Sequence, residues 1–265
     1  MPKVNANGRM LYYEEAGEGP PLIFLSGLGG DHRAFSMTIR HLAARFRCLA
    51  LDNRDSGQSD RARGHYTTRD MAEDVAGWMD AIGLESAHLL GQSLGALIAQ
   101  HVALAHPQKV RSLILASTHG GSNHWRKAVL DSWIQMRGGL EPGPFTKATL
   151  PWLVAPRFYH RPEQIEGLIR FAERNAWPQD PDAFTRQARA AQGHELRGKL
   201  NRIQARSLVL VGEFDLVNPP HIARELADEL PNAVFRVMPG VGHMPHIEDN
   251  LLFRREAQAF LDDLK

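Results

Sequence analysis

The chain has 265 residues, of which 43% are hydrophobic and 23% charged, close to globular averages; this composition excludes collagen-like, coiled-coil and disordered proteins. Its 31 basic and 30 acidic residues form no long run of like charge, so the sequence predicts neither a nucleic-acid nor a membrane partner and favours a small-molecule substrate. Cys48 is the single cysteine, which excludes an intramolecular disulfide and a cysteine-based metal cluster.

The first ten residues are polar and lack the apolar stretch of a secretory signal. No apolar run approaches the roughly 18 residues of a membrane helix. We therefore expect a cytoplasmic protein, and composition leaves a homodimer open. Cys48 lies in an apolar run, where we expect a buried, unreactive thiol.

Strand and helix patterns alternate along the chain. The first residues alternate in polarity around Asn7 and Gly8, which predicts a β-hairpin closed by a tight turn. Short apolar runs, typical of strands buried on both faces of a parallel sheet, follow at residues 22–25, 48–51, 87–90, 113–115, 208–211 and 234–238. Helical spacing separates most of them, at residues 68–82, 94–106, 221–230 and 251–264. This order predicts an α/β fold with a mostly parallel, doubly wound sheet after the hairpin.

Residues 122–199 interrupt this alternation, because they show helical spacing and many prolines but no convincing buried strand. We interpret them as a helical cap inserted into a core formed by residues 1–121 and 200–265. Four of the five tryptophans lie there. The apolar side chains of this segment are expected either to form the cap's own core or to line a pocket. The candidates for contact with a substrate are Trp125, Trp133, Met136, Trp152, Phe158 and Trp177.

Residues 91–95 read Gly-Gln-Ser-Leu-Gly, which matches the pattern G-x-S-x-G. The pattern follows a predicted strand and precedes a predicted helix, the setting of a nucleophile elbow. At such an elbow the serine backbone is strained and neighbouring chain passes close, so the flanking positions need glycine. We interpret Ser93 as a nucleophile; the alternative is a serine in an ordinary tight turn.

A serine hydroxyl needs a base within hydrogen-bond reach and a group that orients this base. Among thirteen histidines, His243 follows the last predicted strand, at the edge where ligands bind in open α/β sheets. Asp215 follows the strand at residues 208–211 and reaches the same edge. The order Ser93, Asp215, His243 is the one expected for a triad on such a sheet. His246 is the nearest rival, and we expect a surface or capping role for it.

Several segments together resemble the α/β-hydrolase superfamily, over nearly the whole chain. Residues 25–30 resemble the family's oxyanion loop, and residues 52–59 resemble its D-x-R-G-x-G-x-S segment. The family's acid and histidine motifs are matched by Asp215 with Pro219 and by His243 with Glu248. The chain is most similar to the subgroup of 3-oxoadipate enol-lactonase, small carboxylesterases and aminoacrylate-type hydrolases. It departs from the family pattern at Ser26, where many members have histidine, and at Asp55, where most have glycine.

The resemblance implies that the backbone N–H groups of Leu28 and Leu94 form an oxyanion hole, which stabilises the negative oxygen of a tetrahedral intermediate. The glycines around Leu28 fit this role, since a loop that presents N–H groups to a ligand must bring bare backbone close. A phosphate-binding role for these glycines is disfavoured, because neither G-x-x-x-x-G-K-[ST] nor G-x-G-x-x-G occurs.

By this resemblance the chain is a serine hydrolase that cleaves an ester or lactone of a small, partly apolar substrate through an acyl-enzyme, with no cofactor or metal. Ser93 argues against haloalkane dehalogenases and epoxide hydrolases, which resemble the fold but use an aspartate nucleophile. Carbon-carbon bond hydrolases, amidases, perhydrolases and hydroxynitrile lyases stay open. A weakly catalytic ligand receptor is the alternative from another class, disfavoured because all three triad candidates are present.

Overall fold

A computed structural model describes residues 3–264. Within that range the chain forms one eight-stranded sheet with the strand order β1-β2-β4-β3-β5-β6-β7-β8. The pairs β1-β2 and β2-β4 are antiparallel and the other neighbours are parallel, which confirms the predicted fold class. The strands are β1 (Lys3–Ala6), β2 (Arg9–Ala16), β3 (Pro21–Leu25), β4 (Arg47–Leu51), β5 (Ala87–Gln92), β6 (Val110–Ala116), β7 (Ser207–Gly212) and β8 (Ala233–Met238).

The N-terminal hairpin closes through a two-residue turn. Ala6 pairs with Arg9, and the two residues between them, Asn7 and Gly8, have φ values of 53° and 81°. Positive φ at both central positions is the geometry of a type I′ turn, for which Asn-Gly is the preferred sequence. The predicted hairpin is confirmed.

The central strands are buried on both faces. In β3, Ile23 and Leu25 pack into one hydrophobic cluster while Leu22 and Phe24 pack into another, because successive side chains point to opposite faces. Helices cover both clusters, as a doubly wound sheet requires. Cys48 lies in the second cluster, where burial raises the pKa of its thiol to about 12.

Ten α-helices accompany the sheet in the described range. They are α1 (Ser36–Leu42), α2 (Thr68–Ala81), α3 (Leu94–Ala105), α4 (His124–Gly139), α5 (Pro142–Leu153), α6 (Pro162–Glu173), α7 (Pro181–Gln192), α8 (Pro220–Glu229), α9 (Pro245–Glu248) and α10 (Asn250–Asp262). Helices α4 to α7, which we call the inserted helices, lie between β6 and β7. Pro142, Pro162 and Pro181 each open one of them, at the first-turn position where a missing N–H costs nothing.

The prediction for the last strand is wrong in one respect. Residues 234–238 are apolar enough to suggest burial on both faces, but β8 is only partly buried and Val237 is 43% exposed. The reason is position, because β8 pairs only with β7 and forms the edge of the sheet. Across residues 3–264, no helix combines the length and the apolar composition needed to cross a membrane.

Candidate active site

Ser93 lies at the sharp turn between β5 and α3, with φ of 52° and ψ of −116°. This backbone conformation is strained for a residue with a side chain, so the surroundings must hold it. The Ser93 N–H donates to the Ala116 carbonyl at 2.9 Å. A Cβ at Gly91 would lie 2.5 Å from the Ala96 nitrogen, and one at Gly95 would collide with the Leu25 carbonyl. The glycines of G-x-S-x-G are therefore required by close backbone contacts.

The structure brings the three predicted triad residues into one hydrogen-bonded chain. His243 Nε2 lies 3.1 Å from Ser93 Oγ, and His243 Nδ1 lies 2.9 Å from both carboxylate oxygens of Asp215. Asp215 Oδ1 also accepts the N–H groups of Val217 and Asn218, at 2.9 and 2.8 Å. A carboxylate that accepts from Nδ1–H leaves Nε2 free to accept the serine proton, which is the arrangement of a general base and its nucleophile.

Buried groups hold the His243 loop in place. The Gln92 side-chain amide donates to the His243 carbonyl at 2.9 Å. Glu248 accepts the N–H of Gly242 at 2.9 Å and the N–H of Ala155 at 2.7 Å, so one carboxylate joins this loop to the end of the inserted helix α5. Burial raises the pKa of Glu248. The histidine is thus positioned from both the core and the inserted helices.

The two backbone groups expected to form an oxyanion hole have no hydrogen-bond partner among the described residues. These are the N–H of Leu28 and the N–H of Leu94 at the start of α3. The loop that follows β3 is closed by a hydrogen bond from the Gly30 N–H to the Gly27 carbonyl at 3.0 Å. Both groups are available to donate hydrogen bonds to a negative oxygen that develops beside Ser93.

Two adjacent chambers lie between the sheet edge and the inserted helices. The inner chamber has a volume of about 100 Å³ and is lined by Gly27, Leu28, Gln92, Ser93, Trp133, Phe145, Thr149, Leu153, Phe184, His243 and Met244. The outer chamber has a volume of about 270 Å³ and shares several of these residues. Its additional walls include Arg137, Leu150, Leu168, Phe171, Gln179, His246 and Ile247. The walls are mostly apolar, which suits a small, partly apolar ligand.

Of the six side chains predicted to contact substrate, only Trp133 lines a chamber. Trp125 is 53% exposed and packs against Trp152, with ring centroids 5.8 Å apart. Phe158 is buried in a small cluster formed mainly by the inserted segment. Met136 packs against the main core, and the Trp177 ring lies against the guanidinium of Arg33. These five therefore have structural contacts elsewhere.

Several chamber residues were not predicted. On α5, Phe145, Thr149 and Leu153 are four residues apart, so they share one helix face, and that face lines the inner chamber. Phe184 of α7 packs edge-on against Phe145, with ring centroids 5.2 Å apart. The i, i+4, i+8 spacing was present in the sequence, but such a stripe equally fits a face turned to a core.

His246 is buried rather than exposed, contrary to the surface or capping role expected for it. Its ring lies 4.7 Å from that of Phe35, and burial lowers its pKa to about 3. It lines the outer chamber but makes no hydrogen bond with the triad. A neutral, apolar packing role accounts for it.

One group of side chains in the described range brings potential metal ligands within 4.8 Å, namely Asp31, His32 and Asp52. These atoms already have partners: His32 Nδ1 lies 2.9 Å from Asp52 Oδ1, and Asp31 accepts hydrogen bonds from Arg33. Asp52 also accepts the backbone N–H of Gln58 at 2.8 Å. An ion would have to displace these bonds, so we interpret the group as a structural network.

A family model described as the alpha/beta hydrolase fold matches residues 20–144. A protein of Mycobacterium tuberculosis named as non-heme bromoperoxidase BpoC is 30% identical over 249 residues, which cover 90% of this chain and 92% of that protein. A protein of Azorhizobium caulinodans named as carbamate hydrolase RutD is 28% identical over 241 residues, 88% of either chain. The solved enol-lactonase of Burkholderia xenovorans shares the fold, with a TM-score of 0.88, 24% identity and coverage of 97% of this chain and 98% of its own.

Proposed function

Because the chain belongs to the α/β-hydrolase family, we propose that it is a serine hydrolase that cleaves a carboxylic ester or lactone of a small, partly apolar substrate. The observation that carries this proposal is the hydrogen-bonded chain from Ser93 Oγ through His243 to Asp215. The relatives are named for different reactions, so we infer the substrate class from the residues and walls of the site and not from those names.

In the proposed acylation step, Ser93 Oγ attacks the ester carbonyl carbon while His243 Nε2 takes the hydroxyl proton. Asp215 stabilises the charged imidazolium and keeps its orientation. The carbonyl oxygen becomes an oxyanion, which the N–H groups of Leu28 and Leu94 stabilise. Collapse of this intermediate breaks the bond to the alcohol oxygen, and His243 protonates the leaving alcohol.

Deacylation uses the same groups in reverse. A water molecule gives its proton to His243 Nε2 and attacks the acyl-enzyme carbonyl, and collapse returns the proton to Ser93 and releases the acid. The apolar walls of Phe145, Phe184 and Trp133 support this step, because they keep bulk water away from the oxyanion and so strengthen its hydrogen bonds.

Relatives named for carbamate hydrolysis make carbamate cleavage an alternative worth testing on the same triad. Carbamate cleavage uses the same attack on a carbonyl carbon, with nitrogen or oxygen as the leaving atom. A panel of p-nitrophenyl esters, lactones, carbamates and amides of matched acyl length separates these activities by kcat/KM. Because esters also hydrolyse faster than carbamates and amides without an enzyme, each kcat/KM is divided by the uncatalysed rate constant. A ratio at least tenfold larger for esters or lactones would support the proposal.

The triad is tested by Ser93→Ala, His243→Ala and Asp215→Asn. Each is expected to lower kcat by about 10⁴-fold with folding retained, and the losses should not add in double variants. His221→Ala, at an exposed position of α8, is the matched control and should keep full activity. More than about a tenth of wild-type turnover in a folded triad variant would contradict the role of that residue.

A serine-directed phosphonate provides an independent test. Wild-type protein should be inactivated with one label on Ser93, since only an activated hydroxyl reacts readily. Ser93→Ala should take up no label. A label on another residue, or none on protein that turns over esters, would contradict Ser93 as nucleophile.

A further inference from the structure

Three polar side chains from the inserted segment reach the loop that follows β4. The Gln179 amide donates to the Asp55 carbonyl at 2.9 Å. The Arg186 guanidinium makes two hydrogen bonds to the Asp55 carboxylate, at 2.8 and 2.9 Å. Gln187 donates from Nε2 to the Arg54 carbonyl at 2.7 Å. Helix α7 is therefore joined to the core by polar contacts next to the chambers.

Gln187 is fully buried, and its partners determine how its amide is oriented. Nε2 donates to the Arg54 carbonyl and to Ser56 Oγ at 2.9 Å. A carbonyl can only accept, so the NH₂ group must face this loop and Oε1 must face the other way. Oε1 accepts the Gly29 N–H at 3.4 Å. One side chain of the inserted helix α7 thus bridges two loops, the one after β4 and the one after β3, and the loop after β3 carries the Leu28 N–H.

The Gly29 N–H belongs to the central peptide of a turn. The Gly30 N–H closes this turn on the Gly27 carbonyl, and Gly29 has φ of +77°. Positive φ at this position is a feature of type II turns, which differ from type I turns in the orientation of the central peptide. The Leu28 N–H belongs to the preceding peptide, between Gly27 and Leu28. An acceptor opposite the Gly29 N–H therefore acts on it indirectly, by fixing the position of the turn that carries Leu28.

We propose that Gln187 is a positioning residue, which holds the oxyanion loop so that the Leu28 N–H faces the carbonyl oxygen attacked by Ser93. This inference rests on the proposed acyl-transfer function. The Asp55–Arg186 ion pair supports it by seating α7 beside the loop. Asp55 itself has φ of +67°, and the aspartate side chain at this position is held by Arg186, Tyr66 and the Ala62 N–H. The cap helix thereby takes part in stabilising the transition state.

The test compares Gln187→Leu and Gln187→Asn with Gln192→Leu. Leucine removes every hydrogen bond of Gln187 at similar size, while asparagine stays polar in the buried site but is one methylene too short to reach both loops. Gln192 lies on the same helix and is also buried, but its amide donates within the inserted segment, to the Lys127 carbonyl and to Asp131. The measured quantities are kcat, KM, the inhibition constant of a trifluoromethyl ketone and the thermal unfolding midpoint.

Both Gln187 variants should lower kcat by about 10- to 100-fold, since misplacing a group by about 1 Å costs up to 10²-fold, and they should leave KM within about threefold. Affinity for the trifluoromethyl ketone, whose adduct carries an oxyanion, should fall by a similar factor. Gln192→Leu should change only the unfolding midpoint. This pattern separates positioning from a general loss of stability.

Two results would overturn the inference. A folded Gln187 variant with a lower unfolding midpoint but unchanged kcat and ketone affinity would show a structural role only. Equal losses of kcat in Gln192→Leu would trace the effect to destabilised inserted helices. Failure of the proposed function is seen separately, as wild-type protein that turns over no ester and takes up no phosphonate on Ser93.

Discussion

Lowering the pH should destabilise the protein through three buried histidines, His119, His194 and His246. They are 5%, 1% and 4% exposed, and burial lowers the pKa of each, in His119 with help from the charge of Arg126. In the folded chain these rings stay neutral, whereas in the unfolded chain they bind protons below about pH 6.5. The stability is therefore complete above the unfolded pKa and decreases as the pH falls.

The magnitude follows from proton linkage. Between about pH 7.5 and about pH 5.5, a histidine that stays neutral when folded lowers the free energy of unfolding by about 1.4 kcal/mol. The three rings together should lower it by about 4 kcal/mol, and the partly buried His88 and His101, whose pKa burial lowers to about 4, add to this loss. Urea unfolding, followed by tryptophan fluorescence at several pH values in this range, measures this change directly.

Two variants test whether a given histidine increases or decreases the loss of stability as the pH falls. His194→Gln should reduce the pH-dependent loss by about 1.4 kcal/mol, whatever its effect at neutral pH, because one proton uptake disappears. Burial lowers the pKa of His32, but the hydrogen bond to Asp52 and the charge of Asp52 raise it, and the pKa is raised overall. His32 therefore stabilises the fold as the pH falls. His32→Asn should therefore enlarge the loss. An unfolding free energy that changes by less than about 1 kcal/mol in wild-type protein would refute the argument.

Three further predictions concern the site and its supports. Phe184→Ala should raise KM roughly tenfold for esters with longer acyl chains, because about 1.4 kcal/mol of apolar contact is lost, and should change KM little for acetyl esters. The exposed Trp125 is the control, and Trp125→Ala should leave the chain-length profile unchanged. Asp55→Asn should lower the free energy of unfolding, measured in urea, by about 2–3 kcal/mol, since it leaves Arg186 without its buried partner. Glu166 forms an exposed ion pair with Arg170 and is the control. A loss in Asp55→Asn no larger than that in Glu166→Gln would contradict the prediction. EDTA should leave ester turnover intact, because the proposed mechanism assigns every proton and charge to protein groups, and a loss reversed by added metal would count against it.

Most of the core was predictable because its signals are local. Asn7 and Gly8 specify their turn through their own backbone preferences, and the apolar runs of β3 to β7 mark strands covered on both faces. The elbow at Ser93 follows from a strand, two glycines and a helix within a few residues. Parallel strands present their carboxyl ends at one edge, and this topology is why residues as distant as Ser93 and His243 meet.

The walls of the chambers were harder to predict. Trp125, Trp133 and Trp152 have the same apolar surface, yet only Trp133 faces the inner chamber. Apolar side chains look alike in a sequence whether they face a ligand, a core or solvent. Which face of α4 or α5 points to Ser93 depends on how the inserted helices pack against the sheet.

Sequence alone determined the order of the strands, the elbow and the candidates for the triad, because each depends on residue type, spacing and the direction of the chain. Only the tertiary structure decided the partners of the buried polar groups. Arg186 meets Asp55 across 131 residues, and Gln187 meets Gly29 across 158. A glutamine far along the chain carries no local sign of such a role, because hydrogen bonds depend on distances and angles that exist only once the inserted helices pack against the sheet.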